Sequence, residues 1–404
     1  MPSIIFLETY KSGSSREGLS AAKSLGYKVH LLTSNLKILK GKEDFLDVDE
    51  FHLVNVKDID LVKKTVLEIQ LKDHVAGIIS FIDSYVFLAA SLSNELCGTP
   101  LSLNAYKKME DKILTRKQLL DDRSNPFFFI LTKDTILKDF IHQVKHKLPL
   151  VVKLPSSCGS KNVYLVKTVA ELRNRLLFLR YHFDEDLLIE EFLRGPQCIV
   201  EVIAQNGNYS ISALVEQEIT HKERFIVTGY SISNEVDHAL ENSLIAKANE
   251  VLQRLEFVQG NCHLEFRFAD GNWKLIEANP RMSGGVMNEL IKEAYGFNYA
   301  EQILHLYLGN SPTLNKTKEE NVYAHYLTVS QPGKLVKVTG VQNVLQQSGV
   351  IKVYIKPVRG DILLPPLSMG NRCGYILAKG KTKAEAKNNA IKAAAQIKFH
   401  LIPL

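Results

Sequence analysis

Two runs rich in apolar and aromatic residues, His263–Arg267 and Trp273–Arg281, flank the segment Asp270-Gly271-Asn272. That connection has the chemistry of a tight turn, so the pair predicts an antiparallel hairpin. With Asp270-Gly271-Asn272 as the loop, Glu265 lies directly opposite Glu277. Side chains alternate along a strand, which puts His263, Glu265 and Arg267 on one face, with Leu275, Glu277, Asn279 and Arg281 opposite them. Two carboxylates about 5 Å apart destabilise each other unless they share a cation. Two carboxylates and an amide oxygen suit Mg²⁺, which takes few protein ligands and completes its shell with substrate phosphates. A surface hairpin with solvated charges has the same pattern, so the hairpin alone leaves both readings open.

At 404 residues the chain predicts about two to four domains. A hydrophobic share of 45% against 23% charged supports a sizeable core. The 50 basic and 44 acidic residues leave a net charge of +6, which gives no case for a nucleic-acid partner. Five cysteines (Cys97, Cys158, Cys198, Cys262, Cys373) are far apart with no C-x-x-C pair, which favours a reducing compartment. Met1–Tyr10 has no basic n-region and Glu8 interrupts its apolar run, so it reads as a first strand and not a signal peptide. The most membrane-like window, Val75–Ser93, contains Asp83 and several serines and reads as a buried strand followed by a helix. The expectation is a soluble cytoplasmic protein with no membrane partner.

Residues 1–105 alternate strand and helix patterns. Strands are expected at Ser3–Leu7, Lys28–Thr33 and Ala76–Ile82, and helices at Ser15–Leu25, Asp60–Gln70 and Tyr85–Cys97. This is an open parallel α/β sheet, whose ligands sit beyond the carboxyl ends of the strands, here around Glu8–Ser15 and Asp83-Ser84. Ser14-x-x-Glu17 has the form of a capping box that starts a helix. Residues 106–185 read as a small lid, with short strands Leu150–Leu154 and Val163–Lys167 around a loop of small residues. Residues 186–404 read as a third domain of antiparallel strands that carries the hairpin. Its last segment, about 320–404, ends in a helix at Lys383–Phe399. The whole is a mixed α/β multidomain chain.

The loop Ser156-Ser157-Cys158-Gly159-Ser160 offers backbone N–H groups that could wrap phosphate oxygens, and Lys153 stands just before it. Small residues also make ordinary hairpin loops. A phosphate-binding G-x-x-x-x-G-K-[ST] loop is rejected: between Gly374 and Gly380-Lys381-Thr382 there is one residue too many, and those residues read as strand. Leu188-Ile189-Glu190-Glu191-Phe192-Leu193-Arg194-Gly195-Pro196-Gln197 is an apolar strand running into two acids and a turn, and it lies between the small-residue loop and the carboxylate hairpin.

In this order the motifs resemble the ATP-grasp superfamily, and within it the L-amino-acid ligases that make dipeptides, including those of bacilysin- and rhizocticin-type antibiotic pathways. The resemblance spans essentially the whole chain and is densest at Ile276-Glu277-Ala278-Asn279-Pro280-Arg281-Met282-Ser283-Gly284-Gly285. It implies an ATP-grasp fold, with ATP and Mg²⁺, or Mn²⁺ in its place, as cofactors. Lys112 and Lys153 resemble the phosphate-binding lysines, and Ser156, Ser157, Gly159 and Ser160 the loop over the triphosphate. Glu190, Glu191, Phe192 and Leu193 resemble the hinge whose backbone holds adenine. Glu265, Glu277 and Asn279 resemble the metal ligands. Arg281 matches the arginine at the transferring phosphoryl group, and the amides of Ser283, Gly284 and Gly285 would face the oxyanion. Where many relatives have Gly-Pro-Glu, this chain has Gly195-Pro196-Gln197, so ribose contact rests on Gln197 or moves to Glu201. Some relatives carry a histidine where this chain reads Val227–Ser231, which leaves Tyr230 in that place.

The implied reaction joins two L-amino acids through an acyl phosphate, with ADP and phosphate released. Resemblance to rhizocticin-type ligases suggests arginine at the amino-terminal position, with Asp83 or Glu8 as its acidic neighbour and Ser84 beside it. A homodimer is common among relatives. The rival reading is a carboxylase resembling biotin carboxylase, suggested by Gly374–Gly380 and the helix after it. A nucleotide-binding module without catalysis is the third.

Overall fold

The computed structural model describes residues 1–157, 159–221, 225–235 and 237–404. Cys158, one of the five cysteines and part of the small-residue loop, lies outside the described residues. Strands β1 (Ser3–Leu7), β2 (Lys28–Thr33), β3 (Glu50–Leu53) and β4 (Val75–Ile79) form a parallel sheet in the order β3-β2-β1-β4. Helices α1 (Ser14–Ser24), α2 (Leu36–Lys40), α3 (Ile59–Gln70) and α4 (Val86–Cys97) make the crossovers. All five residues of β1 are buried, as expected for a strand covered on both faces. β3 and α2 were not anticipated. β3 is an edge strand with exposed ends, so neither alternation nor an apolar run marks it in the sequence.

The expected capping box at the start of α1 does not form. Its N-cap is Gly13, with no side-chain cap, because the helix start docks on the loop after the hairpin. The Ser14 hydroxyl donates to the Ser283 carbonyl at 2.7 Å, and the Ser14 N–H donates to the Gly285 carbonyl at 3.1 Å. Glu17 accepts from Asn288 Nδ2 at 2.6 Å. Groups left orphaned by the helix end are thus satisfied by tertiary contacts.

Helices α5 (Leu103–Glu110) and α6 (Lys112–Gln118) lead into a second sheet. It contains β5 (Phe128–Leu131), β6 (Leu150–Lys153), β7 (Val163–Val166) and β8 (Leu187–Glu191), in the antiparallel order β5-β8-β6-β7. Helices α7 (Leu137–Val144) and α8 (Val169–His182) cover it around a separate core that includes Val152, Leu172, Leu176 and Ile189. β8 lies beyond residue 185, so this unit takes one strand from the segment expected to open the third domain.

The remaining residues build one large antiparallel sheet. Its first strands are β9 (Gln197–Gln205), β10 (Asn208–His221), β11 (Phe225–Ile232), β12 (Gly260–Ala269) and β13 (Asn272–Asn279). The sheet is backed by α9 (His238–Arg254), α10 (Met287–Tyr295) and α11 (Tyr299–Tyr307). Beyond residue 320 come β14 (Asn321–Leu327), β15 (Gly333–Thr339), α12 (Val341–Leu345), β16 (Val350–Ile355), β17 (Ile362–Leu363), β18 (Gly374–Gly380), α13 (Lys383–Ala394) and β19 (Lys398–Ile402). The large sheet runs β13-β12-β9-β10-β11-β14-β18-β16, so three of these strands extend it, while β17-β15-β19 make a small sheet. The helix expected over Lys383–Phe399 ends at Ala394. Lys398–Ile402 alternates with period two and pairs with β15 instead. Among the described residues no helix is long and apolar enough to cross a membrane.

Two left-handed glycines separate backbone strain from crowding. Gly340 has φ +92° and a Cβ there would stand 2.1 Å from the Gln396 carbonyl oxygen, whereas Gly26, at φ +83°, faces open space. Alanine at either position takes the conformational penalty of about 1–2 kcal/mol. At Gly340 overpacking adds about 1–3 kcal/mol. Gly340→Ala is therefore expected to lower the urea midpoint clearly more than Gly26→Ala, and equal losses would refute the crowding.

Candidate active site

The hairpin forms, and Glu265 pairs with Glu277 and His263 with Asn279. The route to that register differs from the expected one. Ala269 pairs with Asn272, so the turn has two central residues, Asp270 and Gly271, both at positive φ (50° and 75°). A bulge next to Glu265 then inserts Ile276 as an extra residue and restores the pairing of the two carboxylates. Leu275 consequently pairs with Phe266 and joins the core, not the face of Glu277.

The carboxylates are electrostatically unequal. Burial, reinforced by the charge of Glu277, pushes Glu265 up to about 7. Burial acts the same way on Glu277, but the ammonium of Lys112 overrides it and holds Glu277 at about 2. Lys112 Nζ is 3.0 Å from Glu277 Oε1 and also donates to the Ser157 carbonyl at 2.8 Å. It sits at the first position of α6, whose N-cap is Asp111. Glu265 also accepts from Gln197 Nε2 at 2.9 Å.

Lys153 Nζ lies 2.6 Å from Glu190 Oε2, and Arg116 Nε lies 2.6 Å from Glu190 Oε1. All three side chains are buried. Burial lowers Lys153, while Arg116 and Lys153 together outweigh burial at Glu190 and lower it. Arg116 also donates to the carbonyl of Ile276, the extra residue of the bulge, at 2.8 Å. The Glu190 side chain is therefore structural. Glu191 N–H donates to the Phe127 carbonyl, and the Leu193 carbonyl accepts from Arg267, so both are already engaged.

His263 is buried and held down to about 4, by burial first and then by Arg281, so its imidazole is neutral. Its Nδ1 faces the Arg281 carbonyl at 2.9 Å and its Nε2 faces Asn279 Nδ2 at 3.1 Å. The consistent network has Nδ1–H donating and Nε2 accepting, which turns the Asn279 amide oxygen away from the ring. Arg281 pairs through Nε with Asp83 and donates to the Met282 carbonyl. The Ser283 amide, expected to face an oxyanion, instead donates to the buried carboxylate of Glu201 at 3.0 Å. Burial pushes that carboxyl up to about 7. Glu201 thus anchors the Ser283 loop. Gly284 lies in open space, and Gly285 has φ +72°.

Asp83, Ser84, Glu110, Lys112, Glu277 and Arg281 line a cavity of about 180 Å³, which Ser156, Ser157 and Asn279 also border. Ser156 donates through its hydroxyl (2.7 Å) and amide (3.3 Å) to Glu185, so a carboxylate already occupies these loop donors. Gly159 and Ser160 both have positive φ, and the Gly159 carbonyl accepts from Met369 N–H at 3.2 Å. Gln197 is not positioned to turn toward a ribose, because it is held by Gln217, Glu265 and Arg267. Nor is Glu8 beside the cavity; its carboxylate accepts from Thr33 and Ser34. Tyr230 is buried against Tyr326.

Three contributors escaped the sequence reading: Arg116, Gln217 and Glu110, the last of which burial pushes up to about 7. Only Arg116 carries a usable signal, since it follows Lys112 by four residues and shares its helix face.

A parallel α/β sheet, a small covering sheet and an antiparallel sheet presenting paired carboxylates together define an ATP-grasp protein. Family models agree along the chain: an ATP-grasp N-terminal domain matches residues 19–98 and an ATP-grasp domain residues 146–289. Residues 325–401 match the L-amino acid ligase C-terminal domain 2, so the chain belongs to the ATP-grasp superfamily with a C-terminal domain of the L-amino acid ligase type. The fold is that of the L-amino acid ligase from Bacillus licheniformis, with TM-score 0.84 and 19% identity over 100% of this chain and 99% of that one. It is also shared by the biotin carboxylase domain of the Hydrogenobacter thermophilus 2-oxoglutarate carboxylase, with TM-score 0.72 and 14% identity over 99% and 91%. Dapdiamide A synthase from Enterobacter agglomerans is 24% identical over 57% of each chain. The chain spans just over half the length of the first curated relatives it matches.

Removing one partner of a buried ion pair costs about 3–5 kcal/mol when the other charge is left alone. Arg116→Met leaves Glu190 paired with Lys153, so it is expected to destabilise the protein at pH 7 by less, about 1.5–3 kcal/mol, the worth of a charged hydrogen bond. Glu190 has a folded pKa below its unfolded value, so its contribution is full above about 4.5 and is lost as pH falls through the folded value. Urea unfolding at pH 7 and pH 4 should show the deficit of Arg116→Met shrinking in acid; an unchanged deficit would remove Glu190 from the explanation.

Proposed function

We propose that the chain is an ATP-dependent carboxylate–amine ligase that joins two L-amino acids into a dipeptide. The observation that carries this is the pairing of Glu265 with Glu277, which lines a cavity together with Lys112 and Arg281. The L-amino acid ligase type of the C-terminal domain supports amino acids over bicarbonate as substrates.

Glu265, Glu277 and the Asn279 amide oxygen are hard oxygen donors brought together at one end of the hairpin, so the set fits Mg²⁺. Those residues would hold Mg²⁺, which would supply positive charge against the phosphates of ATP. Lys112, with Ser156, Ser157 and Gly159, holds the phosphates once Glu185 gives way, and Lys153 supports the same side of the site. The carboxylate of the first amino acid attacks the γ-phosphate, giving an acyl phosphate and ADP. The amine of the second attacks the acyl carbon, and phosphate leaves. The residues supply positioning and charge more than covalent chemistry. Arg281 and the amides of Gly284 and Gly285 face the developing oxyanion. The covering sheet keeps water from the acyl phosphate.

Asp83 is shared with Arg281, so Glu110 is the better acid to receive a substrate ammonium group. A preference for arginine, a homodimeric state and a place in antibiotic biosynthesis are the finer parts of this reading.

Phosphate release with ATP and Mg²⁺, measured on L-amino acids singly and in pairs with product masses read in parallel, should give a dipeptide. Release that requires bicarbonate would move the assignment to a carboxylase. Glu277→Gln is expected to abolish turnover while leaving the fold intact, and near-normal turnover would sink the carboxylate assignment. Arg281→Lys should lose at least about a hundredfold in kcat, as a point charge does not replace a planar fork of donors.

A further inference from the structure

A second cluster of donors stands on the outer edge of the N-terminal sheet, apart from the cavity. β2 and β3 pair with His30 beside Glu50 and Leu32 beside His52. Glu50 and His52 are two residues apart and so share the face of His30. His30 Nδ1 is 3.1 Å from His52 Nε2. Glu50 Oε2 is 3.8 Å from the first nitrogen and 3.9 Å from the second. A tetrahedral zinc ion with bonds of about 2.0–2.1 Å sets its ligand atoms about 3.3 Å apart, so three donors already stand near the corners of such a site.

The surroundings point the same way. The His30 side chain has no exposed surface, and Asp73 Oδ2 lies 3.2 Å from its Nε2. Ligation through Nδ1 places the ring proton on Nε2, facing Asp73, in the arrangement by which carboxylates orient metal-binding histidines. Lys28 Nζ is 2.7 Å from Glu50 Oε1 and 2.8 Å from Asp73 Oδ2, and Lys72 also acts on His52. These ammonium groups offset the two carboxylates and limit the affinity. Glu50, about half exposed, leaves an open side through which an ion and a water enter.

We propose that His30, His52 and Glu50 bind a first-row divalent metal ion of the Zn²⁺ type. Two imidazoles and a carboxylate are the donors such ions select, whereas Mg²⁺ and Ca²⁺ take oxygen. The ion replaces the single proton shared by the two rings and ties the short edge strand β3 to β2. Its role is structural, because none of its ligands reaches the cavity that holds Glu277 and Arg281.

The test is calorimetric titration of the full chain with ZnCl₂ alone, in the wild type and in Glu277→Gln, where the hairpin carboxylates no longer form a pair. One equivalent is expected to bind in both, with Kd on the order of 10 µM or tighter. His52→Ala and Glu50→Gln should each weaken that equivalent at least about tenfold. Zn²⁺ should raise the thermal midpoint of the wild type and leave that of His52→Ala unmoved. His52 and Glu50 are partly exposed, so both variants are expected to keep the fold, which circular dichroism checks. Zn²⁺ affinity unchanged in His52→Ala and Glu50→Gln, or no tight equivalent in the wild type, would overturn the proposal.

Discussion

The guanidinium of Arg116 joins three parts of the molecule that chain connectivity leaves separate. It leaves helix α6, pairs with Glu190 on the covering sheet, and takes the carbonyl of Ile276 in the large sheet. Ile276 is the extra residue that brings Glu265 opposite Glu277. A bulge disrupts the ladder locally and leaves polar groups to satisfy. Arg116 satisfies one of them with a charge that Glu190 holds in place. The carboxylate pair, the covering sheet and the helix that presents Lys112 are therefore positioned by one buried network.

The N-terminal sheet reaches the same place from the other side. Gly13 lets the start of α1 approach Gly285 closely, and Ser14 bonds to the Ser283 and Gly285 carbonyls. Beneath that loop Glu201 takes the Ser283 amide. Asp83, at the carboxyl end of the parallel sheet, completes the junction through Arg281. A cavity between sheets, with ligands at strand ends, is where open α/β architectures place their chemistry. Its charges alternate in sign, with Glu277 beside Lys112 and Asp83 beside Arg281, so a charged ligand would enter by exchanging partners already in place.

Much of this was legible in the residues. The alternating strands and helices of the first hundred residues specify a parallel sheet because each has its own period, and the two-carboxylate hairpin is visible in its apolar arms and turn residues, although a shorter turn and a bulge, not strict alternation, bring the carboxylates together. β3 was not legible, since an exposed edge strand needs no apolar pattern. The end of α13 was hidden because alanine and lysine favour helix up to Ala394 and beyond, and only pairing with β15 draws Lys398–Ile402 into a strand. Ser14 and Glu17 carry the letters of a capping box, yet a nearby loop offered better partners.

The sequence by itself determined that a hairpin turns about Asp270-Gly271-Asn272 with Glu265 and Glu277 on its two arms, because that depends on patterns of a few residues, whereas the two-residue turn and the Ile276 bulge that align them came with the fold. Only the tertiary structure decided that Gln197, Glu190 and the Ser283 amide are engaged by Glu265, Arg116 and Glu201. Each of those bonds joins residues on different strands or helices, brought together by burial and charge pairing. Their strength comes from a low-dielectric interior that exists only once the sheets have packed.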